Sequence, residues 1–445
     1  MWFVKLLSSI SKNSSVFKGE LVSGHNFYGV WGLGRSGKAA YEYLAQKGEN
    51  IVLIDQRPVD EWKNDYSTEK VQCFQQDDPQ LLNLVSEMNR IILSPGIPRE
   101  HKVVKSFIEA GVPVINEIEL AYEELKDKKF YAITGSNGKT TTVSLLGEIV
   151  KNSGKKVFVG GNIGTPLCES LLSAEEFDLY VLELSSFQIE SLETFSPDIF
   201  ALLNLTMTHE ERYQSREDYL EAKIQLADSM KAHQQFFYHP SLLDDVKKRN
   251  LEVQIQSLGE FKKVLQKFDL SSFALAGEHN LENLSVAIAM AREIGADDQS
   301  IQKTINTFKP LSFRLENIGI KNGQQFFNDS KSTNIQSTQT ALRSFEKGHV
   351  SLIIGGQVRD KEQINITDWQ TLVDGVQELI VFGEVAKLFN QRISHPKMRI
   401  VDRLSNLEKN FLGDVVLFSP GFPSFDEFLN YQERGKFFNS FFDSI

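Results

Sequence analysis

The sequence predicts an α/β protein in three domains, and three observations carry that expectation. From residue 27 onward, short apolar runs ending in Gly or Ser alternate with stretches of helical periodicity, the pattern of βα units and parallel sheets. Two glycine-rich loops each follow such a run and lead into a helical stretch. The 445 residues, at ~150 per domain, suffice for about three domains and for several hydrophobic cores without disulfides or structural metals.

Taken in order, residues 1–24 read as an irregular extension. Trp2, Phe3, Val4, Leu6 and Leu7 are apolar, but Lys5 interrupts them and Lys12 follows, so the run is too short for a secretion signal or a membrane helix. Strands are expected at 27–31, 51–54 and 90–93 in a first domain, 25–123, bounded by a charged stretch at 123–129. A central domain, 124–309, carries strands at 131–134, 157–160, 179–183 and 199–203, with helices at 142–150 and 217–230. Lys309-Pro310 ends a helical pattern, because proline pushes the residue before it out of the helical region. The last domain, 310–445, carries strands at 325–328, 351–354, 379–382 and 415–419. No repeat, low-complexity tract or run near the ~18 apolar residues of a membrane span interrupts this order.

Composition excludes several classes. Hydrophobic residues at 41% and charged residues at 24% are those of a folded globular chain, neither disordered nor membrane-embedded. With 48 Lys and Arg against 59 Asp and Glu, the net charge of -11 disfavours a nucleic-acid partner. Cys73 and Cys168 are far apart on apolar segments, so neither a disulfide framework nor a zinc site is encoded, and a reducing cytoplasm fits.

The first glycine loop, Gly32-Leu33-Gly34-Arg35-Ser36-Gly37, follows strand 27–31 and precedes a helical run through Ala39, Ala40, Tyr43 and Leu44. Glycines there let the backbone turn tightly and approach a phosphate at a helix N-terminus. Asp55 ends the next strand, where an acidic side chain would reach a ribose hydroxyl. Alone, this predicts a dinucleotide cofactor, with a purely structural turn as the alternative. Ser94-Pro95-Gly96 lies at the end of the third strand on the same rim, and an ordinary rigid turn is its bland reading.

The second loop, Thr134-Gly135-Ser136-Asn137-Gly138-Lys139-Thr140-Thr141, is the stronger signal, because Gly-Lys-Thr coincides with a strand before and a helix after. Backbone N–H groups of such a loop surround ATP phosphates, Lys139 reaches the β and γ oxygens, and Thr140 or Thr141 can hold Mg2+. The first Gly of the usual phosphate loop is replaced by Ile133.

This loop, together with Gly160-Gly161-Asn162-Ile163-Gly164-Thr165-Pro166, Leu182-Glu183-Leu184-Ser185-Ser186-Phe187-Gln188, His279-Asn280-Leu281-Glu282-Asn283 and Asn328-Asp329-Ser330-Lys331-Ser332-Thr333-Asn334, resembles the ordered motifs of the Mur ligase family. The likeness runs from about Tyr28 to Phe438. The ending, Ser419 to Asp426 with Tyr431-Gln432-Glu433-Arg434-Gly435, is similar to the family members that add glutamate.

The resemblance implies a Rossmann-like N-terminal domain, a central P-loop ATPase-type domain and a C-terminal Rossmann-like domain. It also redirects the first loop: in this family the first domain holds the UDP of the substrate and not NAD. Arg35, Ser36, Asp55, Gln56, Arg57, Ser94, Pro95 and Gly96 would then line the uridine and diphosphate site. The implied reaction joins D-glutamate to UDP-N-acetylmuramoyl-L-alanine through an acyl phosphate, with ATP converted to ADP. Every step concentrates negative charge, so positioning and cations should dominate catalysis.

By the same resemblance, Lys139 and Mg2+ neutralise the transferring group, with Thr140, Glu183 and His209 as metal ligands and Mn2+ as an alternative metal because His is a softer ligand. Lys223 would be carbamylated by CO2 and serve as an anionic ligand. Asn162 would orient the γ-phosphate and the substrate carboxylate. His279, Asn280 and Asn283 would contact adenine, Arg314 and Asp329 would complete the ATP site, and Lys331, Thr333, Ser424 and Phe425 would hold glutamate. Each has a bland counterpart: a solvated strand end for Glu183, a structural His209, a solvated helix-face Lys223, and an Asn-rich helix start. A monomer is expected.

The chain departs from the family pattern at Thr208, where Asp is usual before the His, and at Phe313, where His is usual before the Arg. Gly355-Gly356-Gln357-Val358-Arg359-Asp360-Lys361 replaces Gly-Gly-Asp-x-Lys, and Gly421 and Pro423 alter the terminal motif. Rival readings are a ligase for L-glutamate or another amino acid, a nucleotide-binding scaffold without ligation, a folate polyglutamate ligase lacking the uridine domain, and an NAD oxidoreductase.

Overall fold

The computed structural model describes residues 27–66, 69–207, 212–275, 277–309, 312–358 and 366–445. The expected extension 1–24, Thr208, His209 and the Arg359-Asp360-Lys361 end of the glycine loop lie outside the described residues. Three largely parallel sheets covered by helices form the protein, as the alternating pattern predicts. The chain divides into two compact units, the first ending at Leu120 and the second beginning at Ala121.

The first unit holds one five-stranded sheet of β1 (Phe27–Trp31), β2 (Asn50–Asp55), β3 (Val71–Gln75), β4 (Met88–Leu93) and β5 (Val114–Ile115), in the order β3-β2-β1-β4-β5. All neighbours are parallel. The chain winds outward from β1 to β3 and then returns to β4 on the other side of β1, which opens a switch point between β1 and β4. The Gly32 and Ser94 loops meet there. Trp31, Ile54, Leu93, Val104 and Phe107 form part of the core beneath them.

In the second unit, a six-stranded parallel sheet contains β6 (Lys129–Thr134), β7 (Val157–Gly161), β8 (Leu179–Glu183), β9 (Ile199–Leu202), β10 (Gln235–Tyr238) and β11 (Gln254–Ser257), ordered β11-β10-β9-β6-β8-β7. Strand β6 thus lies between β8 and β9, so residues at the C-terminal ends of these three strands converge on the loop that follows β6. The helix that loop starts, Lys139–Asn152, presents Val143, Leu146, Ile149 and Val150 to Leu284, Ala287, Ile288 and Ala291 of helix Glu278–Glu293 within one core. That packing brings the N-terminal end of the second helix to the glycine loop.

The last sheet contains β12 (Glu316–Lys321), β13 (Gln324–Asn328), β14 (Val350–Gly355), β15 (Glu378–Phe382), β16 (Met398–Val401) and β17 (Val415–Gly421), ordered β12-β13-β17-β14-β15-β16. Only β12 is antiparallel to its neighbour. Because β17 lies between β13 and β14, the loops leaving these three strands emerge side by side. Helix Tyr431–Asp443 covers one face, with Phe438 stacked on Phe418 at 4.3 Å between centroids.

All eleven expected strands are present. Six further strands escape the sequence pattern, and four of them have a plain cause: β3, β11, β12 and β16 are sheet-edge strands with little full burial, so no apolar run marks them. Strand β5 has two residues, and β10 is a short aromatic run preceded by polar residues. The helix expected over 217–230 is α-helical at Arg216–Ile224 and tightens to 3-10 at Gln225–Ser229. There Ser229 Oγ donates to Leu226 O at 2.9 Å and to Phe195 O at 3.1 Å, a local bonding pattern that competes with α-helix.

Candidate active site

In the first unit the glycine loop is fastened to the rim of its own sheet. Gly32 sits at φ 88°, where a side chain would strain the backbone, and its carbonyl accepts from Ser94 Oγ at 2.8 Å. Asp55, expected to reach a ribose hydroxyl, spends its oxygens inside the protein: Oδ2 accepts from Leu33 N–H at 2.8 Å, and Oδ1 from Arg57 N–H at 3.1 Å and Arg57 Nε at 2.8 Å. Burial alone would raise the Asp55 pKa, but these hydrogen bonds and the Arg57 charge outweigh it and hold the carboxyl below its ordinary value. Arg35, Gln56, Arg57 and Gly96 are exposed on this rim, and Ser36, Ser94 and Pro95 are half-buried.

The second unit builds the more elaborate site. Gly138, the cap of the phosphate-loop helix, has φ 83°, and a side chain there would collide with Asn283 Oδ1, so glycine is required twice over. The loop is held by Asn204, which follows β9: its Oδ1 accepts from Asn137 N–H at 2.9 Å and its Nδ2 donates to Asn137 O at 3.0 Å. Sequence reasoning missed Asn204, although an amide directly after a buried strand facing a glycine loop is a signal of that kind. Thr142 Oγ1 and Asn283 Oδ1 lie 3.3 Å apart, and Asn283 Nδ2 donates to Asn280 Oδ1 at 3.3 Å, so both expected amides point into the loop's neighbourhood.

Two lysines share one carbonyl. Lys139 Nζ donates to Gly135 O at 2.7 Å and Ser136 O at 2.9 Å, and Lys223 Nζ donates to Gly135 O at 3.2 Å while lying 4.6 Å from the centre of the Tyr219 ring. Burial, and then the charge of Lys223, pushes Lys139 down to about 8, and burial pushes Lys223 down to about 7. Lys223 is only 2% exposed, so the solvated helix-face reading does not hold.

Glu183, also 2% exposed, ends β8 beside them. Its Oε2 accepts from Thr140 Oγ1 at 2.6 Å and its Oε1 from Asn162 Nδ2 at 2.7 Å. Thr140 Oγ1 in turn accepts from Arg314 Nη2 at 2.6 Å, a contact from 174 residues further along the chain. The carboxylate and hydroxyl are hard oxygen donors of the kind Mg2+ takes alongside waters and phosphate oxygens. Among the described residues, no group of three His, Cys, Asp or Glu could hold a metal by itself.

A cavity of about 150 Å³ opens over this loop, lined by Asn137, Gly138, Thr141, His279, Asn280 and Asn283 from the central sheet and by Arg314, Asp329 and Lys331 from the last. Asp329 is buried and is pushed up to about 6, although Ser332 Oγ, Ser419 Oγ and Leu315 N–H all donate to it. Lys331 is lowered to about 8, by burial and by Arg314, and its Nζ lies 4.1 Å from the centre of the Tyr431 ring. Tyr431 opens the terminal Tyr431-Gln432-Glu433-Arg434-Gly435 motif. Gly421 N–H donates to Ser332 O at 2.9 Å, which brings the Ser424 loop against the loop of Lys331 and Thr333; Ser424 is buried, and Phe425 is 58% exposed. Phe313, at φ 65°, rests its ring against Gly435, where any side chain would collide with it.

The arrangement unites a phosphate-binding loop with cations and carboxylates from two sheets. Residues 133–291 match the family profile described as the Mur ligase middle domain, and residues 27–116 match the Mur ligase MurD-like N-terminal domain. A UDP-N-acetylmuramoylalanine--D-glutamate ligase of Geobacillus sp. (strain WCH70) is 33% identical over 437 residues, covering 92% of this chain and 95% of the relative. The ligase of that name from Syntrophus aciditrophicus (strain SB) is 33% identical over 445 residues, covering 92% and 96%. Among solved structures, UDP-N-acetylmuramate-alanine ligase MurC from Thermotoga maritima aligns over 94% of this chain and 99% of its own at TM-score 0.56 and 16% identity. MurF from the same organism, in complex with ADP, aligns over 93% and 92% at TM-score 0.52 and 16% identity, and both likenesses speak to the fold. Fold, site and matches define an ATP-dependent, ADP-forming amide ligase. The chain belongs to the Mur ligase family. Among the described residues, no helix is long and apolar enough to cross a membrane.

Proposed function

We propose that this protein joins D-glutamate to UDP-N-acetylmuramoyl-L-alanine in peptidoglycan precursor synthesis. The observation that carries the proposal is the convergence of Lys139, Lys223, Glu183 and Thr140 on a phosphate loop whose cavity is completed by Arg314, Asp329 and Lys331. Such a set suits transfer of a phosphoryl group to a carboxylate, followed by capture of the product by an amine.

In the first step, a carboxylate oxygen of the UDP-linked substrate attacks the γ-phosphorus of ATP and the bond to ADP breaks. Loop N–H groups and Lys139 bear the charge on the transferring group, and Asn162 aligns the carboxylate with it. Mg2+, held by Thr140, Glu183 and His209, would supply further charge neutralisation at the phosphates. In the second step, the glutamate nitrogen attacks the acyl carbon and inorganic phosphate leaves. Lys331, Thr333, Ser424 and Phe425 hold the acceptor; Lys331, half-buried and without a carboxylate at ion-pair distance among the described residues, suits one of its two carboxylates. His279, Asn280 and Asn283 take the adenine end. Arg35, Ser36, Asp55, Gln56, Arg57, Ser94, Pro95 and Gly96 take the uridine diphosphate, with Asp55 acting through Leu33 and Arg57. Lys223 works as a carbamate, and the enzyme acts as a monomer in the cytoplasm.

Phosphate release with UDP-N-acetylmuramoyl-L-alanine and a panel of D- and L-amino acids tests the reaction. Release that depends on D-glutamate is expected; release indifferent to the acceptor overturns the assignment. Calorimetry on the same protein should find the UDP-linked substrate binding and NAD not binding. Arg57, exposed at the rim, can pair with a phosphate or stack on a base, which favours this order. NAD as the tighter ligand reverses it.

A further inference from the structure

Arg434 is one of the largest fully buried side chains of the protein, 0% exposed. Among the described residues, no carboxylate lies within ion-pair distance of it. Its hydrogen bonds run instead to neutral oxygens: Nε to Ser330 Oγ at 3.2 Å, Nη2 to Ser330 O at 2.9 Å, and Nη1 to Phe422 O at 2.9 Å and Gly355 O at 3.3 Å. Asp426, Glu427 and Asp329 oppose its charge from beyond ion-pair distance, so the groups that hold the buried guanidinium directly are neutral oxygens of three separate segments, which ties its position to theirs. The three carbonyls stand where the chain leaves β13, β17 and β14: Ser330 and Phe422 in the loops that follow, Gly355 as the last residue of β14. Those loops carry Lys331, Ser424 and Gly356-Gln357, and they are tied to one another as well, since Gln357 N–H donates to Pro423 O at 2.8 Å. Ser330 Oγ also donates to Tyr431 O at 2.9 Å, and the Tyr431 ring faces Lys331 Nζ. Gly356 has no side chain where a Cβ would come within 3.1 Å of Arg434 Nη1, so the guanidinium has a clear path to all three loops.

We infer that Arg434 is a positioning residue for the acceptor amino acid: its planar fork sets the spacing of Ser330, Gly355 and Phe422, and with it the separation of Lys331 from Ser424. This rests on the reading of Lys331 and Ser424 as the glutamate site. A guanidinium is suited to the task because its donors point outward in one plane in fixed directions, whereas an ammonium on a flexible stem cannot satisfy three loops in that geometry. Arg434 itself bonds to no phosphate-loop residue, so the larger effect should fall on the second substrate to react.

Steady-state kinetics of the full-length Arg434→Lys and Arg434→Gln variants test it, with Lys331→Ala alongside. Arg434→Lys is expected to fold, to raise KM for D-glutamate by about tenfold, and to leave KM for ATP and for the UDP-linked substrate within about twofold. ADP formed in a single turnover without glutamate should match the parent protein. Arg434→Gln should show the same pattern with a larger effect. An unchanged glutamate KM in folded Arg434→Lys overturns the proposal, as does a parallel rise in all three KM values or the failure of both variants to fold, since each would assign Arg434 to stability alone. If Lys331→Ala leaves glutamate KM unchanged, the acceptor site itself is misassigned and both readings fall; if Lys331→Ala raises it and Arg434→Lys does not, only the role of Arg434 falls.

Discussion

Lys139→Ala should lower phosphate release by at least about 10²–10³-fold, the loss typical of removing one preorganised charge-stabilising donor, while leaving the fold intact. On the proposed reading the ammonium would meet the charge that develops on the γ-phosphate, and in this structure it donates to two backbone carbonyls, Gly135 O and Ser136 O. Ser136 is half-buried, where its carbonyl can accept water when the side chain is gone, and Gly135 O still has the hydrogen bond from Lys223 Nζ. Burial is the main cause that lowers Lys139 to about 8, so removing the ammonium also removes a desolvation cost. The check combines phosphate release, thermal denaturation, and calorimetric binding of the UDP-linked substrate. Loss of release with unchanged melting and substrate binding is the expected result. A folded variant that releases phosphate at the parent rate would remove Lys139 from the chemistry.

The second large effect concerns Lys223. Buried in the site beside Lys139, this amine is lowered to about 7, which favours the neutral form, and only a neutral amine adds CO2. The proposed adduct would replace an amine with a carboxylate-like anion beside Gly135 of the phosphate loop. Both Lys223→Ala and Lys223→Arg are therefore expected to lose activity, and acetate or formate should partly restore Lys223→Ala by supplying the missing anion. A lysine acting as a simple cation would instead leave activity in Lys223→Arg. The pH dependence has a definite sign: as pH falls through about 7 the ammonium form predominates, carbamate formation fails, and activity should decline on the acid side, with added bicarbonate opposing the decline. Full activity of Lys223→Arg, or of enzyme depleted of CO2, would rule out the carbamate.

The amino-acid sequence by itself determined the parts of this protein whose cause is local. The Gly32 and Gly138 loops and the central strands were legible because backbone conformation at positive φ and two-sided burial leave signatures within a few residues. The edge strands β3, β11, β12 and β16 left none, since a half-exposed strand needs no apolar run. Tertiary structure decided the electrostatics and the partners. Lys223 looks like a helix-face lysine until folding carries it to a carbonyl 88 residues away and strips it of water. Arg314 meets Thr140 across 174 residues, and Asp55, which the spacing presents as a ribose ligand, has its oxygens filled by Leu33 and Arg57 once the strand is in its sheet. Arg434 carries no sequence signal for its three loops, because their adjacency comes from β17 inserting between β13 and β14. A side chain's type and neighbours in the chain are local properties, whereas its desolvation and hydrogen-bond partners depend on which distant segments the sheet order brings together.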